Sequence, residues 1–174
     1  MTIVPVGSEA HRSSARELIS EYLHWIAEGA EREYGLKFDV AAMIESDMSD
    51  AQKFHPPHGR FYLVEEVKDF VGVGCLKRLE SQIGEVQRMY VRPETRGKGA
   101  GRLIVERLIA DARRIGYRKL RLESLRFLAG AHALYKSAGF VEIDPYAGNS
   151  MAKYRAPEAA DAYRSSVVFM EMNL

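Results

Sequence analysis

Apolar residues at Ala15, Leu18, Ile19, Tyr22, Leu23 and Ile26 recur with a spacing near 3.6, which predicts an amphipathic helix after a short strand at Ile3–Val6. Ser8 or Ser13 is placed to cap it. Asp39 has the position of a cap for a second helix, AAMIESDMSDAQ, which the prolines of HPPHG would end. The pattern then switches to a period of two. Arg60–Val67 and Phe70–Leu79 alternate, are rich in β-branched and aromatic residues, and read as an antiparallel hairpin closed by a short Lys-Asp turn. Gly84–Val91 supplies another strand. A helix follows to Ile115 with Gly116 as its stop, and then the strand Arg118–Ser124, with Leu120, Leu122 and Ser124 on one face. Ala129–Ala138 forms a shorter helix ended by Gly139, and Phe140–Ile143 a strand. A polar stretch with Pro145, Gly148 and Pro157 leads to the last strand, VVFMEMNL. This order is α+β, a single domain with a mixed sheet around one strand–loop–helix–strand crossover.

Length and charge narrow the partners. The 174 residues suffice for one domain with a real core, and no apolar run approaches the roughly 20 residues of a membrane span, so a cytoplasmic protein without membrane contact is expected. The lone Cys75 lies in the alternation FVGVGCL and reads as a small buried hydrophobe. Net charge is +1, but residues 88–126 hold 12 Lys and Arg against 4 Asp and Glu. That basic centre suits a polyanionic ligand, with a charge-rich solvated face as the alternative. Nucleic acid is disfavoured because no basic run is interleaved with aromatics. His55 and His58 lack a third ligand and read as loop residues, so no metal is expected.

The most informative stretch is RPETRGKGAG, residues 92–101, between a strand and a helix. A P-loop would need glycine where Arg92 stands and Ser or Thr where Gly99 stands. A dinucleotide loop would need G-x-G-x-x-G, whereas Gly97, Gly99 and Gly101 give G-x-G-x-G. What remains is a loop whose bare backbone N–H groups, at a helix N-terminus, can approach an anion closely: a pyrophosphate cradle.

Two motifs together give the cradle a family. RGKGAG resembles R-x-x-G-x-G, the acetyl-CoA pyrophosphate loop of the GCN5-related N-acetyltransferase (GNAT) superfamily, and EVQRMYVRPE is similar to that family's fourth strand. Downstream, AGAHALYKSAGF is similar to its A-x-x-L-Y-x-x-x-G-F segment, with Ala131, Leu134, Tyr135, Gly139 and Phe140 in register. The resemblance implies a three-layer α/β arrangement: a mostly antiparallel sheet splayed between strands four and five, flanked by about four helices. It implies acetyl-CoA as co-substrate, with the pantetheine arm on the backbone of Met89, Tyr90 and Val91. The pyrophosphate would lie on the N–H groups of Gly97, Lys98, Gly99, Ala100, Gly101 and Arg102. Arg96 and Lys98 would add charge, and Lys136 or Arg126 would meet the 3′-phosphate, although Arg126 reads better as a solvated charge. Where many members carry asparagine seven residues before the tyrosine, this chain has Leu128, so that hydrogen bond is in question.

Acetyl transfer to an amine needs a neutral nucleophile, a place for developing oxyanion charge, and a donor for the departing thiolate. By resemblance, Glu85, six residues before Val91, is the base acting through water; a salt-bridged strand residue is the alternative. Tyr135 is the hydrogen-bond donor or acid, with a core tyrosine as the alternative. The acceptor, a small-molecule or peptide amine, would lie against the first two helices and segment 144–164. Glu21, Trp25, Glu28 and Asp47 there suit a cationic or aromatic amine without selecting one. A homodimer is compatible with the chain. A catalytically silent acyl-CoA-binding module is the competing function, in which Glu85 and Tyr135 are structural.

Overall fold

The Ser8 side chain accepts the N–H of His11, and the first helix, α1 (Glu9–Tyr34), starts there rather than after Ser13. Gly35 ends it in the left-handed conformation, φ 68°. The computed structural model describes residues 1–146 and 160–174. Around α1 the chain forms β1 (Thr2–Pro5), α2 (Val40–Ser49), β2 (Arg60–Glu66), β3 (Asp69–Glu80) and β4 (Ile83–Val91). After these come α3 (Ala100–Ile115), β5 (Lys119–Leu125), α4 (Ala129–Ser137), β6 (Val141–Ile143), α5 (Ala160–Ser166) and β7 (Val167–Asn173). Short 3-10 turns occupy Ala51–Phe54 and Pro93–Thr95.

The seven strands lie in the order β1-β2-β3-β4-β5-β7-β6, every neighbouring pair antiparallel except β4 and β5. Helices cover both faces, which makes the three layers. On one face Leu18, Ile19 and Leu23 of α1 and Met43 of α2 pack on Leu63, Val73 and Phe169. On the other, Ile104 and Leu108 of α3 and Tyr135 of α4 pack on Val86, Leu120 and Met170. Each such leucine or isoleucine, when fully buried, contributes about 1.5–3 kcal/mol, so both faces are held by the hydrophobic stripes visible in the sequence. Cys75 is buried, as its alternation implies. Among the described residues no helix is long and apolar enough to cross a membrane, and no cluster of side chains could hold a metal ion.

Three details depart from the sequence reading. The hairpin turn is Val67-Lys68, not Lys68-Asp69: Glu66 pairs with Asp69, and Val67 and Lys68 both take positive φ, 51° and 80°. Such a two-residue turn matches the strands' twist, yet valine's strand preference hides it. The second helix stops at Ser49, and the chain continues through a 3-10 turn to Phe54. Finally, α5 arises within a stretch whose polar composition gave no helical period; Gly148 and Pro157, the turn residues expected there, lie outside the described residues.

Two backbone irregularities in and beside β4 position the site. Strands β4 and β5 pair only at Ile83–Glu85 with Lys119–Arg121, so Val86–Val91 and Leu122–Leu125 diverge. This is the splay between strands four and five that the resemblance implies. Second, Val73 faces Tyr90 and Cys75 faces Gln87, which leaves Gly74 opposite both Arg88 and Met89, with Arg88 at φ 52°. The bulge reverses the alternation: Val86 belongs to the α3 face and Tyr90, four residues on, to the α1 face.

Candidate active site

The cradle forms where α3 begins. Gly99 is its N-cap at φ 96° and Gly97 has φ 77°, both conformations that side chains rarely adopt. No side chain caps this end, and the first helical bond runs from the Leu103 N–H to the Gly99 carbonyl. The amides of Ala100, Gly101 and Arg102 thus have no helical partner, and the helix dipole adds positive potential there. Gly101 fits tightly for another reason: a Cβ on it would come within 3.1 Å of the Leu134 side chain on α4, which would have to shift.

The expected charged groups divide into two sets. Lys98 and Arg102 are exposed beside the cradle, Lys98 at 3.7 Å from Glu66 and Arg102 at 3.2 Å from the Ser137 hydroxyl. Lys136 is exposed on α4. Arg96, in contrast, donates its Nε to the Val91 carbonyl (2.9 Å) and stacks 4.6 Å above the Trp25 ring. Arg126 donates to the carbonyls of Ser165 and Val167 at 3.2 and 3.1 Å, which fastens the β5–α4 connection to the start of β7.

Where β4 and β5 part, a pocket opens that Glu85, Gln87, Arg88 and Met89 line from β4, Glu123 from β5, Tyr22 from α1, Tyr135 from α4 and Tyr163 from α5. Leu128, in the position where asparagine was expected, also lines it and contributes an apolar wall. Glu85 is almost fully buried and sits in a row of alternating charge. Its register neighbours are Lys77 on β3 and Arg121 on β5, and Arg121 faces Glu171 on β7. Lys77 lies 3.1 Å from Glu85, and Arg121 donates to Glu171 at 2.9 Å. The Glu85 carboxylate also accepts the Gln87 amide (2.7 Å) and the Tyr146 hydroxyl (3.1 Å). Cross-strand ion pairs of this kind stabilise a sheet, so a structural share in Glu85's role is built in.

Tyr135 is buried, with its ring packed edge-on to Phe140 at 5.9 Å. Burial, with a smaller push from Tyr22, raises its phenol far above the usual value, so it stays protonated at any working pH. Its helix brings it to the same pocket that Glu85 lines from β4.

Four pocket or support residues were not singled out from sequence as site groups: Glu123, Tyr163, Tyr22 and Arg88. Glu123 lies two residues past Arg121, beyond the last β4–β5 pair, and accepts the Tyr163 hydroxyl at 2.8 Å. Its signal was the face of β5 opposite Leu120 and Leu122. Arg88 donates its Nε to Asp47 of α2, and Lys53 approaches Asp47 at 3.3 Å. Two of the acids expected to attract an amine, Asp47 and Glu21, therefore have cations of their own, whereas Glu28 is exposed. Asp47 is buried against Arg88, and Glu21 takes a bidentate bond from Arg92, at 2.6 and 3.1 Å, with Glu17 on the same guanidinium at 2.7 Å. Trp25 spans the mouth of the gap, 6.3 Å from the Tyr90 ring at the end of β4 and 6.1 Å from that of Phe127 just past β5.

Comparisons with known proteins agree with this geometry. The profile of the acetyltransferase (GNAT) family matches residues 14–140. An uncharacterized N-acetyltransferase of Schizosaccharomyces pombe is 31% identical over 142 residues, 76% of this chain and 77% of that protein. The IAA acetyltransferase of Azospirillum brasilense is 36% identical over 109 residues, 62% of this chain and 71% of its own. Among solved structures, a GNAT-family acetyltransferase from Staphylococcus aureus superposes with a TM-score of 0.74 at 17% identity, covering 99% of this chain and 98% of that one. The PaiA N-acetyltransferase of Thermoplasma acidophilum, in complex with coenzyme A, gives 0.71 at 18% identity over 100% of both chains.

Proposed function

Because the chain belongs to the acetyltransferase (GNAT) family, we propose that it moves the acetyl group of acetyl-CoA to a small-molecule or peptide amine by direct attack of the amine nitrogen on the thioester carbon. The observation that carries this reading is the junction of two features. An uncapped α3 N-terminus with left-handed Gly97 and Gly99 stands at the end of β4, where β4 and β5 separate into a pocket holding Glu85, Glu123 and Tyr135. The amides of residues 97–102 hold the pyrophosphate, with Lys98, Arg102 and Lys136 adding charge. The backbone of Met89–Val91 receives the pantetheine arm. Arg96 closes that edge through Val91 in the structure described.

An alkylammonium has a pKa near ~10.4, so its deprotonation at neutral pH costs about 4–5 kcal/mol unless the site assists. In this reading Glu85 takes that proton through water, and Glu123 draws the cationic amine into the gap. The negative charge of Glu123 is already felt by both Tyr22 and Tyr146, whose phenols burial raises first and this carboxylate raises further. A backbone N–H near Val91 faces the carbonyl oxygen as charge develops on it. Tyr135 stabilises the departing thiolate. With its phenol raised by burial and a thiol near ~8.5, outright proton transfer is strongly uphill, so the hydroxyl acts as a hydrogen-bond donor.

Free-thiol release from acetyl-CoA across a panel of amines tests the reading. Turnover with at least one amine is expected, with Glu85→Gln depressing kcat most at low pH and Glu123→Gln raising KM for the amine. Acetyl-CoA binding without turnover on any amine would favour the silent binding module, and wild-type constants in both variants would remove these two roles.

A further inference from the structure

Away from the β4–β5 gap, a second pocket lies between the β1–β2 edge and the far end of α3, lined by Val6, Pro56, Phe61, Arg60, Arg107 and Arg114 around Asp111. Arg107 and Arg114 are 7 and 14 residues beyond the start of α3. At 1.5 Å per residue that places them about 10 and 21 Å along the helix from the cradle. Three arginines converge on one carboxylate here. Asp111, 4% exposed, accepts Arg107 Nε at 2.9 Å, Arg114 Nη2 at 2.8 Å and the Tyr62 hydroxyl at 2.7 Å, with Arg60 Nε at 3.5 Å. Burial alone would raise Asp111, but Tyr62 and Arg107 outweigh it and hold its pKa below the usual range, so it is ionised.

The cluster carries three positive charges against one negative. The partial negative charge of the α3 C-terminus offsets little of that excess, because the carbonyls of Ala112 and Arg113 are already bonded by the Gly116 and Tyr117 N–H groups. Asp111 works as a hub that fixes guanidinium groups by one edge each. A guanidinium has five N–H donors. Arg107 is held by Asp111 at Nε and by Tyr62, whose ring lies under it at 4.9 Å, which leaves the rest of its donor fork at the pocket rim. Arg114 gives only Nη2. Both side chains keep exposure, 43% and 63%, at a pocket that Val6, Pro56 and Phe61 also line.

We propose that this pocket is a second anion site, distinct from the cofactor cradle, which takes a small multiply charged oxyanion of the phosphate or polycarboxylate class. The fork geometry of Arg107 and Arg114, preset by Asp111 and Tyr62, matches the bidentate demand of such groups. A purely structural ion cluster would lock α3 to β2 without responding to solutes.

Residue-resolved labelling with phenylglyoxal, read by peptide mass spectrometry, separates these. Millimolar inorganic phosphate or citrate is expected to slow modification of Arg107 and Arg114 at least threefold while leaving the exposed Arg113 unchanged. The two probes distinguish a phosphate from a carboxylate ligand. In parallel, the variant combining Arg107→Gln with Arg114→Gln keeps Arg60 and Tyr62 on Asp111, and should lose at least half of the phosphate-induced rise in Tm. Equal labelling rates with and without both anions, or the same slowing by chloride at matched ionic strength, would overturn the proposal. Should the variant not fold, the wild-type labelling decides alone.

Discussion

The two sides of β4 solve different problems. Towards α3 and α4 the strand meets an apolar core, and the groups offered to a ligand are backbone amides and glycines at a helix start. Towards α1 and α2 it presents Glu85, paired with Lys77 on β3, Arg88, bonded to Asp47 on α2, and Gln87, which donates to Glu85. Backbone recognition demands particular glycines at fixed offsets, so it leaves a sequence motif. Side-chain recognition depends on which charges remain after internal pairing, and that is settled only in three dimensions.

If the polar side is held by its internal pairs, the largest effect follows from cutting the deepest one. Asp47→Ala leaves Arg88 buried without its α2 partner and should lower stability by about 3–5 kcal/mol in urea titrations; a loss under about 1 kcal/mol would show that the pair is idle. Next, Tyr135→Phe should reduce kcat on the order of 10²-fold while KM for acetyl-CoA holds, as expected for one donor to developing charge. A parallel rise in KM would mean that the ring supports cofactor packing instead. Smaller is Gly99→Val, which forces a β-branched residue to φ 96° and should cost about 1–3 kcal/mol of stability and weaken CoA binding, checked by melting and calorimetry. Smallest is an acid effect. Asp111 and Glu171 have folded pKa values below their unfolded ones because, against the rise from burial, their hydrogen-bonding and cationic neighbours win. Their stabilisation is therefore full above the ordinary carboxylate pKa near ~4 and is lost as pH falls through the lower folded values. Asp111→Asn should flatten that loss in urea titrations between pH 6 and 3.

The element order apart from α5, both helix faces and the glycines at the start of α3 were readable because each follows from a period or a fixed spacing. Residues 84–91 were readable as a strand but not in their facing, since the bulge at Arg88 reverses inside and outside halfway along. For the same reason nothing in QRMYV indicates that Arg88 reaches α2. Glu21 and Asp47 looked like lures for a cation because their partners, Arg92 and Arg88, are 71 and 41 residues away in sequence. Tyr163 was hidden in a stretch without period, and Glu123 gains meaning only from where the β4–β5 ladder ends. Val67 misled in the opposite sense, being a strand former used at a turn.

Trp25 is the chain's one tryptophan, and its indole lies against a guanidinium and two aromatic rings at the mouth of the gap. Excited at the red edge of its absorption, where the nine tyrosines contribute little, the protein therefore emits from a single point on the route proposed for the ligand. Any occupant that lifts Arg96 or parts Tyr90 from Phe127 changes the quenching and polarity around that fluorophore, so titrations of cofactor and acceptor can be followed optically on the unlabelled, unmutated chain.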